Sequence, residues 1–285
     1  MRSAAGTLLA LMFVVLVAGC TQSATTTPAK VETSDVVVAS TTSTQDSGLF
    51  DTLMPAFEKA YPQYKTKVIA VGSGEAIKLG ETKDADVLLV HTPAAEKKFI
   101  ADGFATKRSD VMYNDFVIVG PPADSARVMG STTTTEAVTK IVEAGKAAAA
   151  TFVSRGDASG TNAKELKLWA DAKITTPTPA ANPWYMSTGQ GMGETLKVAD
   201  EKATYTITDR ATWLSMKSAL PGLAILYEGD KALFNQYGVI VIPDAKNQAG
   251  GQAFADYVLS PEGQKVIGGF GIEKYGEALF TPNAK

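Results

Sequence analysis

Residues 35–60 read DVVVASTTSTQDSGLFDTLMPAFEKA. The β-branched run at 35–39 is a strand by composition. From Leu49 onward the apolar residues Leu49, Phe50, Leu53, Met54 and Phe57 recur at helical spacing, and Pro62 stops the helix just after Ala60. Between strand and helix lie Ser40, Thr41, Thr42, Ser43 and Thr44, five consecutive hydroxyl residues, followed by Gln45-Asp46-Ser47-Gly48. Strand, hydroxyl-rich turn and helix form the repeating unit of an α/β fold, in which ligands sit beyond the carboxyl ends of the strands.

The unit recurs along the chain. Further strands are expected at 67–71, 85–90, 116–119, 151–154, 204–208, 223–227 and 239–242. Helices are expected from about Gly74 and at 94–101, 134–149, 161–172, 254–259 and 261–268. Strands such as ADVLLV (85–90) are apolar on both faces, which implies parallel sheets covered on both sides. The expected architecture is two α/β lobes, each a mostly parallel sheet flanked by helices, with a ligand cleft between them. The first lobe takes 35–118 and a return segment, 231–285; the second takes 119–230. Gly120-Pro121-Pro122, directly after an apolar strand, marks the first crossing, and the second falls between Tyr227 and Pro243.

The chain has 285 residues with 27 Lys and Arg against 30 Asp and Glu, a net charge of −3 that argues against a nucleic-acid binder. One cysteine and one histidine, Cys20 and His91, exclude a disulfide framework, an iron–sulfur cluster and a multi-histidine metal centre, and no cofactor is expected. Residues 1–19 begin with a cationic Arg2, continue through an apolar stretch at 4–17 and end in Val17-Ala18-Gly19 before Cys20. This is the pattern of a lipoprotein signal peptide, the alternative being an ordinary secretory signal with an incidental cysteine. Half of residues 21–34 are Ser or Thr, so 20–34 reads as a flexible tether. The expected location is outside the cytoplasmic membrane, anchored by a lipid on Cys20. There is no G-x-S-x-G elbow, P-loop, dinucleotide fingerprint or zinc-protease helix.

Small hydroxyl and glycine residues collect at five junctions: 40–48, 72–74, 154–161, 188–193 and 208–210. A helix start offers unpaired N–H groups and a positive dipole end, glycines permit close backbone approach, and hydroxyls add donors. Such a site suits a small oxyanion. Each segment alone is also an ordinary helix cap, Ser73 and Thr208-Asp209 above all; the segments at 40–48 and 154–161 are richer than a cap requires. Arg155, among glycines and hydroxyls, presents a charged planar fork suited to a tetrahedral anion, with a structural ion pair to Asp157 as the bland alternative. His91 has no partner motif and reads as structural, and Trp169, Trp184 and Trp213 as core or cleft wall.

At these residues the chain resembles the tungstate-binding proteins of ABC importers, which are cluster-two (type II) periplasmic binding proteins. The resemblance runs from Asp35 to the end. It is carried by residues 39–44 with Asp46-Ser47-Gly48-Leu49, by 85–91, by 112–121, by FVSRGDASGT at 152–161, by Trp184-Tyr185 leading to 188–193, and by Thr206-Ile207-Thr208-Asp209-Arg210. It implies anion contacts from Thr41, Thr42, Ser43, Arg155, Ser159 and Thr161, and more weakly Ser73. Two departures stand out: Ser40 where the family often has threonine, and Asn162 where it often has histidine. The partners implied are tungstate and an importer permease with its ATPase, and the chain is expected to be a monomer.

Tungstate is fully deprotonated near neutral pH, so donors alone satisfy it, whereas phosphate usually carries a proton and wants an acceptor. Sulfate is smaller than tungstate, molybdate nearly the same size, and only the resemblance favours tungstate over molybdate. A molybdate, sulfate or phosphate binder of the same architecture is the nearest alternative. A secreted hydrolase using a loop serine is the alternative of another class, with His91 as its sole possible imidazole base, and a sensory or adhesive lipoprotein is a third.

Overall fold

The computed structural model describes residues 33–285. The expected signal peptide, Cys20 and nearly all of the tether lie outside the described residues.

The opening stretch folds as β1 (Ser34–Thr41), a short α1 (Thr42–Asp46) and α2 (Leu49–Ala60). β2 (Tyr64–Val71) runs parallel to β1, followed by α3 (Ser73–Glu81) and by β3 (Val87–Val90), parallel to β1 on its other edge. α4 (Pro93–Ala101) then leads to β4 (Ser109–Gly120), twelve residues long. The expected strand at 116–119 is only its second half. The first half, SDVMYND, carries too many polar residues to read as a buried strand.

α5 (Thr134–Lys146), β5 (Phe152–Ser154) and α6 (Gly160–Asp171) follow, then β6 (Tyr185–Ser187), α7 (Met192–Glu201), β7 (Thr206–Asp209), α8 (Arg210–Met216) and β8 (Ala224–Tyr227). The chain returns through β9 (Phe234–Val241), α9 (Gln248–Leu259), α10 (Pro261–Gly269), a single turn α11 (Ile272–Tyr275) and β10 (Thr281–Pro282).

The main sheet has the order β10-β4-β9-β3-β1-β2, and β7 and β8 pair with the far end of β4. β4 changes partners along its length: Ser109 to Asp115 pair with β9, and Phe116 to Gly120 with β7 and β8. The sheets are mixed where mostly parallel ones were expected. β1, β2 and β3 are mutually parallel and β5 pairs parallel with β6, but β9 is antiparallel to β3, and β4 is antiparallel to β7, β8, β9 and β10. The reason is β9. It inserts between β3 and β4 after a short connection from β8 and runs against both, and apolar composition does not encode direction.

Both faces of the main sheet are covered. Val36, Val38, Leu53, Phe57, Phe254 and Val258 pack on one side, and Ala39, Ala76, Leu88, Val90, Phe99 and Ile240 on the other. A separate cluster around Phe116, Ile141, Phe152, Trp169, Trp184 and Tyr205 supports β5, α5 and α6. Fully burying such side chains contributes about 1.5–3 kcal/mol each. This anchors the strands whose carboxyl ends carry the hydroxyl-rich loops. Among the described residues no helix is long and apolar enough to cross a membrane.

Candidate functional site

The hydroxyl run after β1 divides its labour. Ser40 Oγ donates to the Leu89 carbonyl at 2.5 Å, and Thr41 caps α1 by accepting from the Thr44 N–H at 3.3 Å. Thr41 Oγ1 also lies 2.7 Å from Thr44 Oγ1 and 3.2 Å from Ser43 Oγ, and Ser43 Oγ lies 3.2 Å from His91 Nε2. Thr42 alone reaches across to the 154–161 loop: its Oγ1 accepts from Arg155 Nη2 at 3.0 Å.

That loop starts at the end of β5. Gly156 turns the chain with φ +61°, a conformation costly for other residues. Ser154 Oγ donates to Glu165 at 2.5 Å while accepting from the Gly156 N–H at 3.0 Å. Asn162 Nδ2 donates to the same oxygen at 3.3 Å. Glu165, buried behind the loop, also accepts from Trp169 Nε1 at 3.0 Å and Tyr185 OH at 2.6 Å, and its burial raises its pKa. Arg155 is 2% exposed, and its Nη2 donates to Asp157 at 2.6 Å as well as to Thr42, so ion pair and cross-loop contact coexist. Ser159 caps α6, accepting from the Asn162 N–H at 3.1 Å.

The other three hydroxyl-rich segments meet these two. The Gly74 N–H donates to the Ala158 carbonyl at 2.7 Å, and a Cβ on Gly74 would sit 2.9 Å from that of Ala158, so the approach requires glycine. The Gly193 N–H, in the first turn of α7, donates to Asp46 Oδ2 at 3.1 Å. Thr212 Oγ1, at the start of α8, donates to the Ser43 carbonyl at 3.1 Å, and Asp209 caps α8 by accepting from the Thr212 N–H at 2.9 Å. The segments at 154–161, 188–193 and 208–210 thus meet α1, and the one at 72–74 joins them through the 154–161 loop, which brings the starts of α3, α6, α7 and α8 together.

Three buried polar atoms in this cluster have no hydrogen-bond partner: Ser73 Oγ, Arg155 Nε and Thr161 Oγ1. A buried donor left unmet costs about 1–3 kcal/mol. An oxygen-rich anion at their junction would recover that. Thr41, Ser43 and Ser159 are, by contrast, engaged with protein groups through their side chains. Burial is the leading cause of three shifts here. It raises Asp46, raises Asp209 to about 6, and lowers His91 to about 4, helped there by Arg155 and Lys164 and opposed by Asn235. Besides the carboxylates of Asp46, Asp157 and Asp209, each engaged with a protein donor, the cluster offers one guanidinium, an uncharged imidazole and many neutral donors, a composition suited to binding an anion. Among the described residues no group of acidic, histidine or cysteine side chains could hold a metal ion.

His91 is the residue whose place the sequence reading misses. It is 3% exposed and stacks on Tyr237 at 4.7 Å, and its Nδ1 lies 2.9 Å from Asn235 Oδ1. A Cβ on Gly160 would come within 2.6 Å of the ring. Asn235 lies 144 residues further along the chain, so no local motif announces the pair. The three tryptophans are buried, as core.

A family model described as PBP superfamily domain matches residues 23–262. A tungstate-binding protein TupA of Peptoclostridium acidaminophilum is 48% identical over 256 residues, covering 87% of this chain and 86% of the relative. The crystal structure of a tungstate ABC transporter protein from Geobacter sulfurreducens is 45% identical, with a TM-score of 0.71 over 82% of this chain and 97% of that one. The tungstate-binding protein TupA of Desulfovibrio alaskensis G20 is 46% identical, with a TM-score of 0.71 over 88% of this chain and 99% of that one. The chain belongs to the PBP superfamily and, within it, to the family that contains the TupA proteins.

Proposed function

We propose that this chain binds tungstate among its five converging loops and delivers it to the permease of an ABC importer. The observation that carries this reading is the set of buried, unpartnered groups Ser73 Oγ, Arg155 Nε and Thr161 Oγ1 on loops that touch through Gly74 and Ala158. A tetrahedral dianion with no proton satisfies donors from several directions, and the N-termini of α3 and α6 add backbone N–H groups. The names of the relatives support tungstate over other oxyanions. In this reading Thr42, Ser73, Arg155 and Thr161 touch the anion directly, the Ser43 hydroxyl borders it, and Thr41 and Ser159 shape the loops and present backbone N–H groups. The lobes are 35–118 with 231–285, and 119–230, closing on the ligand; the change of partners along β4 supports a crossing in that strand. A lipid on Cys20 holds the protein, as a monomer, outside the cytoplasmic membrane.

One observation favours hydrolysis instead: Ser43, His91 and Asn235 stand in the order of a nucleophile, base and orienting group, at 3.2 and 2.9 Å. Weighing against it, Ser43 has no solvent exposure, and a ring whose pKa is near 4 is a weak base at neutral pH. Calorimetric titration with tungstate, molybdate, sulfate and phosphate tests the proposal, with p-nitrophenyl acetate turnover as the counter-assay. Tight one-to-one tungstate binding is expected, with molybdate weaker. Heat from sulfate or phosphate alone would overturn the tungstate assignment, and ester turnover lost in His91→Ala would establish the hydrolase.

A further inference from the structure

The buried histidine decides which way the Ser43 hydroxyl points. Asn235 Nδ2 donates to Asn114 Oδ1 at 2.8 Å and to Tyr237 OH at 3.3 Å, so its carbonyl oxygen faces His91. That oxygen accepts, so Nδ1 of the ring carries the proton and Nε2 is left as a lone pair. Ser43 Oγ, 3.2 Å from Nε2, then donates to the ring, accepts from Thr41 Oγ1 at 3.2 Å, and turns only lone pairs toward the anion loops. A deprotonated dianion cannot use them. If Nε2 gains a proton, the ring donates to Ser43 Oγ, and the serine proton is free to turn toward the anion.

We propose that His91 is a positioning residue that couples oxyanion capture to proton uptake: the ring takes a proton from solvent at Nε2 and Ser43 converts from acceptor to donor. The charged groups acting on the ring are Arg155, from the β5–α6 loop, and Lys164, from α6. Both are cations and both oppose protonation in the free protein. The other elements packed on it offer only neutral groups: Phe116 from β4, Tyr237 and Asn235 from β9, Ser43 from α1. A dianion at Arg155 offsets that cationic field, so ring protonation and anion binding favour one another. Solvent comes up to the ring: His91, Thr92, Gly160 and Lys164 line a cavity of about 310 Å³. The neutral chain continues through Asn235 to Asn114, register partners on β9 and β4 just before β4 passes to its pairing with β7, whose end carries the 208–210 loop.

This inference rests on the tungstate reading, and the experiment separates the two. The full chain is titrated with sodium tungstate at pH 7.5 in PIPES and in Tris, whose ionisation heats differ, and the same is done with His91→Gln and Ser43→Ala. For the unmodified chain the binding heats should differ by an amount equal to uptake of about 0.2–1 proton, and the difference should vanish in His91→Gln and shrink in Ser43→Ala while one-to-one binding persists. Equal heats in both buffers would overturn the coupling alone; they would mean that Nε2 already carries the proton, as it would with both asparagine amides turned over. A buffer difference that survives in His91→Gln would also overturn it, by placing the proton elsewhere. No tungstate heat from the unmodified chain would overturn the functional reading and the coupling together.

Discussion

Replacing Arg155 with lysine keeps a positive charge and removes the fork. In the structure the two edges of the guanidinium do different work. Nη2 is committed to Thr42 and Asp157, at 3.0 and 2.6 Å, while Nε has no protein partner. A lysine has a single nitrogen and cannot hold the cross-loop contact and an anion oxygen in the same geometry. The loss is then one charge-assisted hydrogen bond, about 1.5–3 kcal/mol. At about 1.4 kcal/mol per decade, tungstate binding should weaken by about tenfold to a hundredfold or slightly more. Arg155→Ala should cost more, because Asp157 would be left facing the incoming dianion without its partner. Folding should suffer less than binding, since Asp157, at 22% side-chain exposure, keeps solvent contact when its partner is shortened. Calorimetric titration with tungstate, paired with thermal melts without ligand, separates the two effects. An Arg155→Lys protein that binds within about threefold of the unmodified chain would refute the assignment of Nε to the anion.

The remaining expectations concern the frame around the site. Gly160→Ala places a methyl 2.6 Å from the His91 ring; the N-terminus of α6 must move, and tungstate binding should weaken together with a stability loss of about 1–3 kcal/mol, readable as a urea midpoint shift. An unchanged midpoint with unchanged binding would show that the contact is easily relieved. Glu165→Ala strips the acceptor from Ser154, Trp169 and Tyr185, leaving buried donors unmet at about 1–3 kcal/mol each, so the protein should melt well below the unmodified chain. A normal melting temperature would mean that water replaces the carboxylate there. Asp209, raised to about 6 by burial, binds its proton more tightly in the folded than in the unfolded chain. Its contribution to stability is present at low pH and lost as pH rises through about 6. Relative to Asp209→Asn, the unmodified chain should therefore gain stability as pH falls from about 7 to about 4, and parallel melting curves for the two proteins over that range would contradict the shift.

Much of this molecule is legible in its sequence, for a local reason. β1, α2, β3 and α6 carry their own patterns: a β-branched run, an apolar stripe ended by a proline, a fully apolar segment, a helix with a serine cap. The elements that escape are those held by their neighbours. α1 is five hydroxyl-rich or acidic residues with little helix propensity, β6 is three residues long, and the first half of β4 is polar enough to look like a loop until β9 pairs with it. Strand direction escapes as well: nothing in FNQYGVIV says that β9 runs against β3.

The division at the site is similar. Composition alone marked the five hydroxyl-rich junctions and singled out Arg155, because a helix start after a buried strand needs donors and caps wherever it occurs. Which hydroxyls are spent on the protein, and which stay unmet, depends on partners far away in the chain. Leu89 takes Ser40 and His91 takes Ser43, while Ser73, Arg155 and Thr161 keep an atom free. A hydroxyl's role is set by the groups that fold against it, and those contacts come into being only when segments 48 to 169 residues apart close around α1.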